Sequence, residues 1–245
     1  MLSGLAEAPE DQLFPNETAE PLKLHVIRRE LKAFQRGLPQ NRSIIVRTFD
    51  NAPQLFRVCV IGPEKTPYED VPFVFDCWLP SGYPAVPPKV LGRAVWGPER
   101  LNPNLYSDGK VCLSLLGTWD GPGWDKQNST LLQVFLSIQA LVLVENPYYN
   151  EPGYEQHKSS LDGQRNSALY NENARLLSLH AACALATSPP RGLAKVLDAH
   201  FRQVGPKIVA ECEAIVEHPK ERGYSAGYSR SISRLLPKLR SCLVF

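Results

Sequence analysis

The sequence predicts an α+β fold: an antiparallel four-stranded sheet flanked by an N-terminal helix and by C-terminal helices. Three observations carry the prediction. A helical apolar period comes first, β-rich runs joined by short connections follow it, and long helical patterns fill the second half. Of 245 residues, 43% are hydrophobic and 21% charged, which suits a globular domain and excludes a wholly disordered chain.

The first helix is expected within 21–37. Leu24, Ile27, Leu31 and Phe34 recur at spacings of three and four, and Gly37 with Pro39 supplies the stop. Arg28, Arg29, Lys32 and Arg36 fill the remaining surface and make it a candidate docking face. Strands are expected at 43–49, 54–61 and 72–79, separated by turn-rich segments too short for a parallel crossover. Phe73, Phe75, Cys77 and Leu79 alternate, so one sheet face enters the core there. Pro80, Pro84, Pro87 and Pro88 then make a stiff loop at a sheet edge, before a short strand at 89–91.

Residues 96–129 show no long element, and irregular stretches of that length inside a domain are commonly functional. Thr130 and Gln133 have capping-box spacing, and 131–144 is apolar nearly all round, so a central buried helix is expected. Further helical patterns cover 164–186, 191–203 and 206–217, with breaks at Pro189-Pro190 and Gly205-Pro206. The ends differ in charge. Residues 1–20 hold five acids and no base, while 218–245 hold six bases and one acid.

Several function classes are disfavoured by composition. With 27 basic and 25 acidic residues, the charge of +2 is too mild to imply nucleic-acid binding. The longest dense apolar stretch, 131–144, falls short of the ~18 residues of a membrane span. Met1-Leu2-Ser3-Gly4 lacks the basic and apolar regions of a secretory signal. Six scattered cysteines without a Cys-x-x-Cys pair argue against zinc ribbons, redox motifs and a disulfide framework. The expectation is a reduced protein of the cytoplasm or nucleus, with no cofactor and no metal.

The informative stretch is Leu101-Asn102-Pro103-Asn104, then Ser107-Asp108-Gly109-Lys110-Val111-Cys112. From its neighbours alone, Cys112 reads as a small buried hydrophobe, and no adjacent His or Asp marks it as activated. Its position after a turn, eight residues beyond Asn104, points the other way. The stretch resembles the active-site signature of ubiquitin-conjugating enzymes, His-Pro-Asn followed eight residues later by an acceptor cysteine. Ile61-Gly62-Pro63 with Thr66-Pro67-Tyr68, and Tyr83-Pro84-x-x-Pro87-Pro88, are similar to two further signatures in the same order. Leu113 to Trp119, the Gly- and Trp-rich insert to Trp124, and Pro147 to Tyr154 resemble the branch of large hybrid conjugating and ligase enzymes.

The resemblance implies the ubiquitin-conjugating fold, with a catalytic core at 21–160 and C-terminal helices at 161–217 packed on it. An acidic segment at 1–20 and a basic extension at 218–245 flank these. It implies that Cys112 carries ubiquitin as a thioester and passes it to a substrate lysine. It further implies that Asn104 steadies the oxyanion or holds the loop. Asn102 stands where the family has histidine and can replace its hydrogen bonds but not its titration. Glu151 aligns with the acid that helps deprotonate the lysine. Implied partners are ubiquitin, the ubiquitin-activating enzyme and protein substrates, with a separate ubiquitin ligase left open. Ala85 occupies the proline-loop position where many relatives carry a Phe that docks on ligases. The alternative is a catalytically inactive module of the same fold that binds ubiquitin or a ligase, which the intact Cys112 and Asn104 disfavour. A cysteine hydrolase would need a histidine partner, and none of the five histidines sits in a hydrolase-like motif.

Overall fold

The β-rich runs form the middle of one sheet in strand order β1-β2-β3-β4-β5. The computed structural model describes residues 1–5, 7–14, 22–218 and 223–244. Strands β2 (Ile44–Phe49), β3 (Leu55–Ile61), β4 (Pro72–Trp78) and β5 (Lys89–Gly92) pair antiparallel, as their short connections require. The sheet has five strands rather than four. The fifth, β1 (Leu2–Leu5), comes from the acidic N-terminal segment and adds parallel to β2. Charge counting missed it because Leu2–Leu5 precedes every acid of that segment.

The inner sheet face carries Val46, Val58 and Phe75 in register, with Phe56 and Cys77 beside them. Helix α1 (Leu24–Gly37) packs there through Phe34, whose ring lies 6.0 Å from that of Phe56. Helix α2 (Leu131–Ser137) packs there through Phe135, 6.1 Å from Phe75. In α1 the buried face is Val26, Ile27, Glu30 and Phe34, whereas Leu24, expected inside, is 66% exposed. Glu30 is buried because its carboxylate accepts the Leu131 backbone N–H at 2.8 Å, satisfying an orphan donor at the start of α2. Burial raises the Glu30 pKa, which the Leu131 bond only partly opposes.

The Thr130 capping box forms as expected, but the helix does not run on through 131–144. It changes into a π-helical turn, Ile138–Val142, which puts Leu141 63% into solvent and leaves Ile138 and Val142 buried.

The outer sheet face is polar at its centre. Arg57 and Asp76 sit opposite each other in register, both buried, and make a two-pronged pair at 2.7 and 2.9 Å. Two distant segments close over them. Asp11 pairs with Arg57 at 3.0 Å, and the Arg191 carbonyl accepts from the same guanidinium at 3.0 Å. Beside this hub, Phe14 covers Phe49, Leu55 and Trp78.

Three helices complete the chain: α3 (Leu161–Thr187), α4 (Ala194–Glu217) and α5 (Ala226–Leu243). One expectation is corrected here. Gly205-Pro206 does not break the helix, since α4 runs through it. A Cβ on Gly205 would lie 2.0 Å from the Leu243 carbonyl oxygen, so the glycine serves close helix contact rather than a turn. Within the basic extension, helix α5 buries Tyr228, Ile232, Leu235, Leu236, Leu239 and Leu243 against its neighbours and turns Arg230, Arg234, Lys238 and Arg240 outward. Helix α4 is tied to the β3–β4 loop by Lys207, which reaches Glu69 at 2.6 Å and Asp70 at 2.7 Å.

Candidate active site

Cys112 lies on the irregular stretch between β5 and α2, and that stretch is ordered by backbone bonds rather than by a long element. The Gly92 N–H donates to the Gly109 carbonyl at 2.8 Å, pinning the Ser107-Asp108-Gly109 turn to the sheet edge. Gly109 has φ 89°, and a Cβ there would stand 2.5 Å from the Gly92 oxygen, so the turn needs glycine on both counts. Thr118, in the Leu113 to Trp119 segment, closes the other side. Its hydroxyl donates to the Val111 carbonyl at 2.8 Å and accepts the Leu113 N–H at 2.9 Å.

Asn104 and Cys112 are brought together. The Cys112 N–H donates to the Asn104 carbonyl at 2.9 Å, and the Asn104 side-chain Nδ2 donates to the Cys112 carbonyl at 3.0 Å. Asn102 supports them from beneath. Its Oδ1 accepts the Asn104 N–H at 2.8 Å, while its Nδ2 donates to the Tyr68 hydroxyl at 2.9 Å and to the Val142 carbonyl at 2.7 Å. A neutral amide in this position both donates and accepts at every pH, which an imidazole does not. Cys112 itself is only 2% exposed.

Glu151 follows the 3₁₀ turn Pro147–Asn150, and its carboxylate pairs with Arg100 at 3.6 Å. Arg100 in turn stacks on the Tyr106 ring, 3.7 Å from its centroid. The residue of this loop that reaches the site is the preceding one: Asn150 Nδ2 donates to Asn104 Oδ1 at 3.3 Å and to the Leu141 carbonyl at 3.0 Å.

Burial disfavours the thiolate form of several cysteines. It pushes the pKa of Cys59 and of Cys183 up to about 12 and that of Cys212 up to about 11. Among the described residues, no cluster of His, Cys, Asp or Glu could hold a metal ion, and no helix is long and apolar enough to cross a membrane.

The insert after Cys112 folds back on the proline loop. Trp124 Nε1 donates to the Pro84 carbonyl at 2.8 Å, and its ring lies 5.5 Å from that of Tyr83. The basic face of α1 is narrower than its sequence suggests, because the Arg29 guanidinium is spent on the carbonyls of Lys126, Gln127 and Ser129. Arg28, Lys32 and Arg36 stay exposed.

Comparison with known proteins matches residues 26–177 to the family model described as ubiquitin-conjugating enzyme. A putative ubiquitin-conjugating enzyme E2 38 of Arabidopsis thaliana is 44% identical over 191 residues, 77% of this chain and 57% of that protein. A probable ubiquitin-conjugating enzyme E2 23 of the same plant is 38% identical over 234 residues, 88% of this chain and 21% of the relative. The human dual E2 ubiquitin-conjugating enzyme/E3 ubiquitin-protein ligase BIRC6 is 36% identical over 205 residues, 81% of this chain and 4% of its own length. The chain thus spans between a twenty-fifth and somewhat over half of these relatives. The matched segment covers strands β2 to β5, nearly all of α1, α2 and the loop that holds Asn104 and Cys112, and the chain belongs to the ubiquitin-conjugating enzyme family.

Proposed function

We propose that this chain accepts ubiquitin as a thioester on Cys112 and transfers it to a lysine amine of a protein substrate. The observation that carries the reading is the pairing of Cys112 with Asn104 through two hydrogen bonds, within the matched family segment. In the first step the Cys112 sulfur attacks the ubiquitin carbonyl carbon held on the activating enzyme. A new C–S bond forms, and the activating enzyme's thiol leaves with the proton. In the second step the lysine nitrogen attacks the same carbon, the C–S bond breaks, and the Cys112 thiol is regenerated as the isopeptide forms. Asn104 can serve the second step because its amide has two hydrogens. One holds the Cys112 carbonyl, and the other is the donor for the developing oxyanion.

Glu151, held by Arg100, acts on the lysine only after that ion pair opens. The dual relative supports a further reading, that the chain selects substrates without a separate ligase. Exposed Ala85 offers such a ligase no more than a methyl group. Six free thiols support a place in the reducing cytoplasm or nucleus. One observation favours the second reading, a catalytically inactive module: the near-complete burial of Cys112.

Incubation with activating enzyme, ATP and ubiquitin, followed by a non-reducing gel, tests both. The wild type is expected to give an adduct lost on reduction. Cys112→Ser should give an oxyester that resists reduction, and Cys112→Ala none. A labile adduct in the Ala variant moves the site elsewhere, and no adduct on the wild type leaves the inactive module.

A further inference from the structure

Two asparagines far apart in sequence, Asn102 and Asn150, converge on Asn104, and both are anchored on neighbouring carbonyls of the π-helical turn. Asn102 donates to the Val142 carbonyl and Asn150 to the Leu141 carbonyl, at 2.7 and 3.0 Å. The wider winding of a π turn, followed by the end of the helix, leaves these carbonyls without the partners a continuing α-helix would supply. From those anchors Asn102 holds the Asn104 backbone, and Asn150 holds its side chain.

The chemistry of the contact fixes which way the Asn104 amide faces. Asn150 presents one nitrogen to two oxygens, Asn104 Oδ1 and the Leu141 carbonyl, and an amide NH2 has one hydrogen for each. Because Oδ1 of Asn104 is turned to that donor, its own Nδ2 must face the other way, where it meets the Cys112 carbonyl. If the amide flipped, two oxygens would meet at the Cys112 side and two nitrogens at the Asn150 side. A single orientation satisfies every partner.

We propose that Asn150 is a positioning residue that sets the orientation of the Asn104 amide toward the acyl-carrying cysteine. The proposal rests on the reading of Cys112 and Asn104 given above and deepens it. Asn150 touches neither the acyl group nor the lysine; it acts through Asn104. It also accounts for the neighbouring Glu151 facing Arg100 instead of the site, since Asn150 is the residue of this loop that points inward.

The decisive substitution is Asn150→Asp, which keeps the size and replaces the donor by an acceptor. A carboxylate there repels Asn104 Oδ1 and attracts Nδ2, so it favours the flipped amide, whereas Asn150→Ala merely releases it. Single-turnover discharge of the ubiquitin thioester to free lysine is expected to slow about fivefold for Asn150→Ala, the loss of one ordinary hydrogen bond. Asn150→Asp should slow it roughly tenfold more, as expected when a charged group opposes the native dipole. In an Asn104→Ala background the difference between the two should disappear, because no amide is left to turn. Equal effects of Ala and Asp, or a difference that persists without Asn104, would overturn the assignment.

A second readout does not depend on activity. In ¹⁵N-labelled protein the Asn104 side-chain NH2 should exchange slowly in the wild type and rapidly in Asn150→Asp, while melting temperature separates this from unfolding. Unchanged exchange in a folded Asn150→Asp protein also overturns the assignment. If the wild type takes no ubiquitin, the functional reading fails, and the amide exchange still decides whether Asn150 orients Asn104.

Discussion

Asn104 has more to do than a single role suggests. Its backbone and side chain make four hydrogen bonds with Asn102, Cys112 and Asn150, and its residue is only 7% exposed. Asn104→Ala removes two of these and leaves the Cys112 carbonyl and Asn150 Nδ2 short of a partner. A stability loss of about 1–3 kcal/mol is expected from unsatisfied buried groups. If the second amide hydrogen meets the oxyanion, discharge to lysine should also slow roughly 10²-fold while charging changes little. A melting curve measured beside single-turnover charging and discharge checks both parts. Discharge within about twofold of wild type removes Asn104 from the catalytic list, and a parallel fall of both rates leaves it as a brace. At this scale the pairing of Asn104 with Cys112 was legible through the resemblance of their stretch to the family signature, and the two are hydrogen-bonded neighbours. Asn150 was not, since its contact with Asn104 spans 46 residues and depends on where the π turn ends.

At the scale of elements, α1 shows how a pattern can be right and its use incomplete. The three- and four-residue apolar spacing placed the helix, yet Glu30 belongs to the buried face and Leu24 does not. Glu30 is inside because α2 presents an unpaired N–H there, a fact about a helix a hundred residues away. Likewise Arg29 looks like one of four equivalent basic residues but is held by three carbonyls of 126–129. The surface available to an acidic partner is therefore Arg28, Lys32 and Arg36. Reversing two of them, for example Arg28→Glu with Lys32→Glu, should slow charging by the activating enzyme, and more at low salt than at high salt, because exposed charges are screened. Arg29→Ala should instead lower stability, with no such salt dependence of charging. Equal effects of the double reversal at both salt concentrations would remove this face from the encounter.

Across the whole molecule, the outer face of the sheet joins segments that are remote in sequence. Arg57 is completely buried between Asp76, Asp11 and the Arg191 carbonyl. Asp76→Ala leaves that guanidinium without its main counter-charge and should cost about 3–5 kcal/mol in urea unfolding. Replacing the pair together, Arg57→Met with Asp76→Leu, should cost much less, because no buried charge is then left alone. A single variant no worse than the double would show that Asp11 and the backbone suffice for Arg57.

The antiparallel strands, the first helix, the capped start of α2 and the order of the motifs that mark the family were all readable from the chain. Each of these depends on a repeat, a turn or a cap read within a few neighbouring residues. The rest came from contacts between distant segments. Strand β1 exists because Leu2–Leu5 finds the edge of β2. Helix α4 passes through Gly205-Pro206 because α5 lies close over that glycine, and Glu151 faces Arg100 while Asn150 turns to Asn104. Hydrogen bonds and close contacts between distant segments carry no local period, so they are settled only when the chain has folded.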